Sequence, residues 1–362
     1  MVMEKPTESN TLVKHAYQNL PLYSANVKLL IKWGYIGTPS RSQRFLLGLL
    51  PVLTLIGQVI NIFKSPDADM GETGMNLFLL AIMTNSILKH FTITRKDEYF
   101  QRFLQSMQQW CNAMESYEDQ HIPGLILDIT RRSQKLSRIT FYGSVVGTVC
   151  GVAYPFTFEH RKFIFDVQYP LFDIKRTPFY EINFLLQAFV LVPSFLCVYM
   201  TFTNLLFTFL MFGEVTLLDL RLKLQNISKD DQSKMLKDFK DCIAYHNQII
   251  DFRDDLENLV SMALFFEVAL FGLMFCMLLF FISLVHDYQL IFTAVTFIAV
   301  TLYMIAISFY FASKFTSESL EIANAAYDTP WYDGNLEMRK CVLTMIARSQ
   351  RPLLVCIINT WE

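Results

Sequence analysis

Few side chains in this sequence have the types and spacing that catalysis or metal binding requires. No two of the six histidines form a metal-ligand pair at helical spacing, and the sequence contains neither a nucleophile elbow nor a phosphate-binding loop. We therefore predict a protein that is not an enzyme and needs no metal or cofactor. A membrane enzyme or transporter stays open as an alternative, because a catalytic set can be dispersed. The histidines are His15, His90, His121, His160, His246 and His286.

Isolated charges interrupt two otherwise apolar stretches of the chain. Glu267 lies deep in one of them, where an ionisable group is costly and usually faces other helices or water. Its carboxyl either hydrogen-bonds to a neighbouring helix or takes part in gating or ion passage. Lys89 and His90 lie near the end of another stretch, where such side chains can snorkel to the interface. We assign no function to these two residues.

Three glycines, Gly143, Gly147 and Gly151, recur every four residues and so lie on one face of a helix. Small residues allow a neighbouring backbone to approach closely, and the same groove could admit a ligand. Helix packing and ligand binding are both open interpretations of this pattern.

Membrane helices must position these residues. The chain has 362 residues, of which 53% are hydrophobic and 18% charged, and its mean hydropathy is +0.32. These values are too apolar for an ordinary soluble domain. The predicted fold class is all-α, a polytopic membrane helix bundle with six stretches long enough to cross about 30 Å of hydrocarbon. The six predicted spans are residues 45–63, 75–93, 139–158, 182–212, 259–285 and 290–311.

The distribution of Lys and Arg predicts the orientation of these spans. The N-terminal segment, the second and fourth loops and the C-terminal tail together carry 25 of these residues, whereas the alternate loops carry five. Cytoplasmic loops carry the excess, so the N-terminus is predicted to lie in the cytosol. The net charge of −2 gives no reason to expect nucleic-acid binding.

Three regions follow from this topology. Residues 1–44 form a cytosolic N-terminal segment, and residues 45–313 form the six-span bundle, which includes cytosolic helical extensions at 213–258. Residues 314–362 form a cytosolic, amphipathic C-terminal segment. Its helix either lies on the membrane surface or docks onto the cytosolic part of the bundle. Pro193 is expected to kink the fourth span.

Several short segments resemble a known family in their order and spacing. Residues 325–331 (AAYDTPW), followed by 338–340 (MRK) and 345–353 (MIARSQRPL), closely resemble the C-terminal signature of insect odorant receptors. Residues 242–250 (CIAYHNQII), leading to 256–259 (LENL), are similar to the cytosolic segment that precedes the fifth helix in that family. The similarity in overall plan extends over essentially the whole chain.

The resemblance implies a tuning subunit of a ligand-gated, nonselective cation channel in the plasma membrane of olfactory neuron dendrites. Its partners would be a shared co-receptor in a hetero-oligomeric, tetrameric channel, membrane lipid and a small volatile odorant. Family members continue into a seventh, pore-lining helix, and we expect this span to be absent here because eight residues after position 354 cannot cross the membrane. The resemblance also implies a cytosolic subunit anchor, for which we select His246, Tyr327, Trp331, Arg348 and Gln350.

The odorant site implied by the family lies in the outer half of the helix bundle. We select six residues there, because an apolar pocket with a few hydroxyl groups suits small volatile molecules. Packing residues have the same types, so each of the six has this second interpretation as well. The candidates are Phe78, Ile82, Tyr154, Phe184, Phe189 and Thr293.

Three alternatives to the channel subunit remain. A gustatory-type receptor is related, but its tail is expected to differ between Tyr327 and Pro352. A truncated, nonconducting isoform could act as an interaction protein through its cytosolic anchor. A G-protein-coupled receptor would require an extracellular N-terminus, and the sequence has no Asn-Pro-x-x-Tyr motif of that class.

Overall fold

The computed structural model describes residues 20–37, 41–64, 70–116, 121–157, 163–170, 174, 176–227, 231–284 and 288–355. These residues form ten α-helices, joined by turns, short 3-10 segments and one π turn, which confirms the predicted all-α fold class. The helices are α1 (Ser24–Trp33), α2 (Arg41–Lys64), α3 (Met70–Arg95), α4 (Asp97–Glu115), α5 (His121–Ala153), α6 (Phe179–Leu186), α7 (Val192–Gln225), α8 (Gln232–Leu284), α9 (Tyr288–Tyr327) and α10 (Leu336–Ser349).

Five helical segments of the described chain are long and apolar enough to cross a membrane, and they coincide with five of the six predicted spans. The third predicted span, 139–158, falls on the second half of α5 and the following 3-10 turn and is not among them. The count of six spans and the cytosolic N-terminus therefore remain predictions. The five segments are Phe45–Lys64, Thr73–Arg95, Phe179–Gln225, Gln232–Leu284 and Ala294–Tyr327.

Two of these helices are much longer than a bilayer requires. Helix α8 has 53 residues and α9 has 40, which correspond to lengths of about 80 and 60 Å at 1.5 Å per residue. A hydrocarbon core about 30 Å thick covers less than half of α8. The charged segment 232–258 is thus a continuous helical extension of the fifth predicted span.

The fourth predicted span is interrupted near Pro193. A π turn, Gln187–Leu191, separates α6 from α7, and the Val192 amide at its end donates to the Gln187 carbonyl five residues earlier. Proline has no N–H to continue the α-helical ladder, and a π turn re-pairs the backbone around such a break. The π turn lies immediately before Pro193, and the kink expected at this proline remains a prediction.

The chain divides into two compact units. Unit 1 contains the chain up to Arg102 together with Gln134–Leu205 and Met262–Met304, and unit 2 contains Phe103–Ser133, Leu206–Ser261 and the chain from Ile305 onward. The boundaries predicted at positions 44 and 313 are not tested by this division and remain predictions.

Unit 2 has a core of aromatic side chains. Phe103 stacks on Phe252 with ring centroids 5.2 Å apart, and Trp110 meets Phe212 edge-on at 5.8 Å. Such pairs contribute beyond the area that they bury. The core brings α4, α7 and α8 together within this unit.

The C-terminal helix α10 docks inside unit 2, as the second interpretation of the tail expected. It buries Met338, Val342 and Met345, and Glu337 forms an ion pair with Lys240 of α8 at 2.6 Å. The Asn335 side chain caps α10 by accepting from the Met338 amide at 2.8 Å.

Candidate functional site

A buried ion pair joins three helices of unit 1. The Lys89 ammonium of α3 lies 2.8 Å from Oε1 of Glu267 on α8, and it donates to the Thr203 hydroxyl of α7 at 3.1 Å. The Tyr199 hydroxyl, also on α7, donates to the same Glu267 oxygen at 3.3 Å, and the Tyr199 ring centroid is 3.8 Å from Nζ of Lys89. Both charges are thus compensated inside the unit.

The prediction that Lys89 snorkels to the interface is wrong, because its side chain is fully buried and bound. The interpretation that Glu267 hydrogen-bonds to a neighbouring helix is confirmed. An unpaired charge in an apolar interior is so unfavourable in free energy that two isolated, opposite charges in separate spans are expected to form an ion pair. That rule was available from the sequence and would have predicted this pair.

The six predicted odorant-site residues are only partly brought together. Phe78 and Ile82 lie one turn apart on α3, with Phe78 buried against Phe297 of α9 at a centroid distance of 4.7 Å. Phe189, in the π turn, is 72% exposed and therefore contributes little to any enclosed surface. The side chains of Tyr154 and Thr293 lie outside the described part of the chain.

Phe184, a partly buried predicted residue, packs against two apolar clusters. One cluster includes Met83, Ile164 and Leu191, and the second contains Phe163. The sequence predicted a ligand-facing residue here. In the structure Phe184 lies on α6, at the start of the fourth predicted span, and packs against the segment that follows α5.

The segment 163–170 is a packed part of unit 1. Its apolar side chains, among them Phe163, Phe165 and Val167, are buried. The Gln168 amide donates to the Gly57 carbonyl of α2 at 3.0 Å. Sequence reasoning treated this segment only as a loop, although its alternating apolar residues are typical of a half-buried extended strand.

The Gln187 side chain joins the segment 163–170 to the π turn through two hydrogen bonds. Its side-chain oxygen accepts from the Phe165 amide at 3.0 Å, and its side-chain nitrogen donates to the Phe165 carbonyl at 3.0 Å. Both partners are buried, so each backbone group depends on this side chain.

We expect Gln187→Leu to destabilise the protein by about 1–3 kcal/mol, because it leaves the buried backbone N–H and C=O of Phe165 without partners. The measurement is the thermal unfolding midpoint of the detergent-solubilised protein. Gln225→Leu is the matched control, since Gln225 is exposed at the end of α7 and its replacement should change stability by less than about 0.5 kcal/mol. Equal midpoints for the two variants would contradict the role of the double hydrogen bond.

A cavity of about 580 Å³ lies within unit 1, between α1, α5 and α7. This volume is in the range of small-molecule sites. As far as the described residues define its walls, they include none of the six predicted odorant-site residues. The cavity was not predicted, because it depends on how α1 packs, and short helices leave little signal in a hydropathy pattern.

Helix α1 is held in place by its C-terminal end. Gly34 ends the helix with a φ of 82°, a left-handed conformation that suits glycine, and its amide donates to the Ile31 carbonyl at 2.9 Å. Immediately after it, the buried Tyr35 hydroxyl hydrogen-bonds with the Ser194 hydroxyl of α7. This contact fixes α1 beside the first turns of α7 and so builds one wall of the cavity.

The five predicted anchor residues all belong to unit 2. His246 is buried on α8, whereas Tyr327, at the end of α9, is 63% exposed. The Trp331 indole N–H donates to the Tyr327 carbonyl at 3.0 Å, so these two residues lie together. Arg348 is half-buried and Gln350 exposed. Their role between subunits remains a prediction.

Several long apolar helices and an ion pair buried among them are typical of an all-helical, multi-span membrane protein, and the cavity has the size of a small-molecule site. Among the described residues, no group of three or more His, Cys, Asp or Glu side chains is placed to hold a metal ion.

The sequence matches the 7tm Odorant receptor family over residues 69–361, and the chain belongs to this family. It is 27% identical to Odorant receptor Or2 of Anopheles gambiae, over 95% of this chain and 92% of that protein. It is 24% identical to Odorant receptor 30a of Drosophila melanogaster, over 94% and 90% of the two chains. The suspected family is confirmed, and the protein is a membrane receptor for odorants and not an enzyme.

The fold is shared with an insect olfactory receptor of known structure. The olfactory receptor OR5 of Machilis hrabei superposes with a TM-score of 0.78 at 14% sequence identity, covering 93% of this chain and 90% of that one. The same receptor in complex with eugenol gives a TM-score of 0.72 at 12% identity. At these identities the similarity establishes the helical architecture alone.

Proposed function

We propose that this protein is a tuning subunit of an odorant-gated, nonselective cation channel that assembles with a shared co-receptor in the plasma membrane of olfactory neuron dendrites. The observation that carries the proposal is the family match, which extends over residues 69–361. The exposed Tyr327 and Gln350 of unit 2 offer side chains that a second subunit could contact.

The odorant site of this proposal is the one predicted from the sequence, in the part of unit 1 that contains Phe78, Ile82 and Phe184. Buried aromatic and aliphatic side chains there favour a small, largely apolar molecule. Eugenol, the ligand in the complex of the Machilis hrabei receptor, is a small volatile phenol of this chemical class.

Gating in this proposal is a shift between two populated conformations. An odorant shifts the equilibrium toward the open channel only by the difference between its binding free energies for the open and the closed conformation. Ligand contacts at Phe184 are suited to this, because Phe184 packs on residues from the segment after α5 as well as on α3 and the π turn.

The test is odorant-evoked current in cells that express the co-receptor with this chain. We expect current in response to some member of a panel of small volatile phenols and esters. Phe184→Ala should raise the half-maximal odorant concentration about tenfold, because truncating an aromatic anchor of a binding site costs on the order of 1–2 kcal/mol of binding.

Phe280→Ala is the matched control, since Phe280 is 49% exposed on α8 and should leave the odorant response unchanged. Absence of current with every odorant, from protein that reaches the cell surface, would contradict the channel proposal. Equal half-maximal odorant concentrations in the Phe184→Ala and Phe280→Ala variants would contradict the proposed odorant site but not the channel proposal.

A further inference from the structure

The described lining of the cavity between α1, α5 and α7 includes none of the residues of the proposed odorant site, and its walls differ in chemistry from one end to the other. Near one end lie Gln134 and Arg138 of α5, and Arg138 is exposed. Further along lie the aliphatic side chains of Val145 on α5 and Leu196 on α7. The cavity therefore has a polar, cationic end and an apolar end.

Most polar side chains on its walls are already bonded to the protein. Asn26 donates to the Ser137 hydroxyl at 2.9 Å, the Ser144 hydroxyl donates to the Phe141 carbonyl at 2.7 Å, and the Thr148 hydroxyl donates to the Ser144 carbonyl at 2.8 Å. Hydroxyl groups committed to their own helix present mainly carbon to the cavity. An occupant of this part of the cavity should therefore be apolar.

The charged side chains in the three segments that line the cavity are all cationic. The lining segments 20–37, 134–148 and 191–205 contain Lys28, Lys32, Lys135 and Arg138 and no Asp or Glu. Lys28 and Lys32 are exposed on α1, each one residue before a lining residue, Leu29 or Trp33. Among the described residues that line the cavity, Arg138 carries the one charge, and its guanidinium favours an anionic group at that end.

The dimensions match one leaflet of a bilayer. From Arg138 to Thr148 the helix α5 rises about 15 Å, which is half of the roughly 30 Å hydrocarbon core. The flank of α5 beside the cavity is apolar and exposed, with Phe141 at 50% and Val146 at 62%. In a membrane protein such a flank faces lipid, so the cavity opens where acyl chains are present at high concentration.

We propose that this cavity binds an anionic phospholipid, with one acyl chain between α5 and α7 and the headgroup at Arg138. The predicted topology places the Arg138 end on the cytosolic side, and the cytoplasmic leaflet is the one rich in anionic lipids. The lipid holds α1 against the bundle, and this role does not depend on where the odorant binds.

The experiment uses the full chain, purified in detergent, with phosphatidylserine or phosphatidylcholine added and the bound lipid counted by native mass spectrometry. We expect phosphatidylserine to be retained at about tenfold lower concentration than phosphatidylcholine. Arg138→Gln should abolish this preference, and Val145→Trp, which fills the apolar part, should reduce retention of both lipids at least tenfold.

Val146→Trp is the matched control, because Val146 is the next residue on α5 but faces away from the cavity lining, and it should bind as the unmodified chain does. Equal effects of the two tryptophans, or equal retention of the two lipids, would overturn the proposal. A free fatty acid is the other source of the same chemistry. If laurate binds with the Arg138 and Val145 dependence while phosphatidylserine does not, the phospholipid assignment is overturned.

Discussion

Lys89→Met will destabilise the protein by about 3–5 kcal/mol, because it leaves the Glu267 carboxylate buried without its cation. Glu267→Gln should have an effect in the same direction, since it leaves the ammonium inside an apolar span without a carboxylate, beside the Thr203 hydroxyl and the Tyr199 and Phe202 rings. The measurement is the unfolding midpoint of the detergent-solubilised protein, followed by the fraction that remains monodisperse after heating.

The double variant Lys89→Met with Glu267→Met decides whether the pair acts as a unit. Replacing both charges removes the unpaired ion as well as the attraction, so the double variant should be more stable than either single variant. Lys64→Met, at the exposed end of α2, is the control for loss of a lysine and should have little effect. Strictly additive losses in the double variant would show that the two charges do not interact.

Gly213→Val is expected to destabilise unit 2 by about 1–3 kcal/mol or more, because the position has no room for a side chain. A Cβ built at Gly213 on α7 would lie 2.7 Å from Cε2 and 2.9 Å from Cδ2 of Phe315 on α9, and 3.3 Å from Cε1 of Phe252 on α8. Phe315 is 1% exposed, so its ring has little freedom to move away. The unfolding midpoint measures this loss as well.

Two other helical glycines provide controls for this prediction. A Cβ at Gly143 or Gly147 on α5 would meet nothing within 4 Å, so alanine there should be tolerated and should stabilise the helix by a few tenths of a kcal/mol. Restoring space with Phe315→Leu should recover part of the loss in Gly213→Val. An unchanged midpoint in Gly213→Val would contradict the close approach of α7 and α9.

The glycines also show what a sequence pattern omits. Gly143, Gly147 and Gly151 form a regular stripe, which predicted either helix packing or a ligand groove, yet among the described residues no helix packs closely on Gly143 or Gly147. Gly213 belongs to no pattern, and the close approach occurs there. Spacing along one helix reports which residues share a face, but only the partner helix determines whether that face is covered.

Much of the architecture was nevertheless predictable. Span length follows from bilayer thickness, and apolar runs are a local property, so five of the six predicted spans coincide with long apolar helices. The third predicted span, on the second half of α5, is not among them. The tail signature at 325–353 was sufficient to identify the family.

The predicted odorant site was only partly accessible to sequence reasoning. The aromatic candidates Phe78, Phe184 and Phe189 differ in burial: Phe78 is buried, Phe184 is partly buried and Phe189 is exposed in the π turn, and their contact with ligand remains a prediction. Burial of an aromatic residue in a span depends on which way its helix is rotated, and in lipid both directions are acceptable to phenylalanine. Gln187, a polar residue in an apolar run, was a clearer signal of an interior contact.

The helical class, the approximate spans and the family were predictable from residue order, because they depend on local hydropathy and on short motifs. Contacts between distant residues became visible only in the folded chain. Lys89 and Glu267 are 178 positions apart, and Asn26 and Ser137, which help to form the cavity, are 111 apart. The physical reason is that pairing energies inside a membrane depend on the partner that removes each polar group from hydrocarbon, and this partner is set by helix packing.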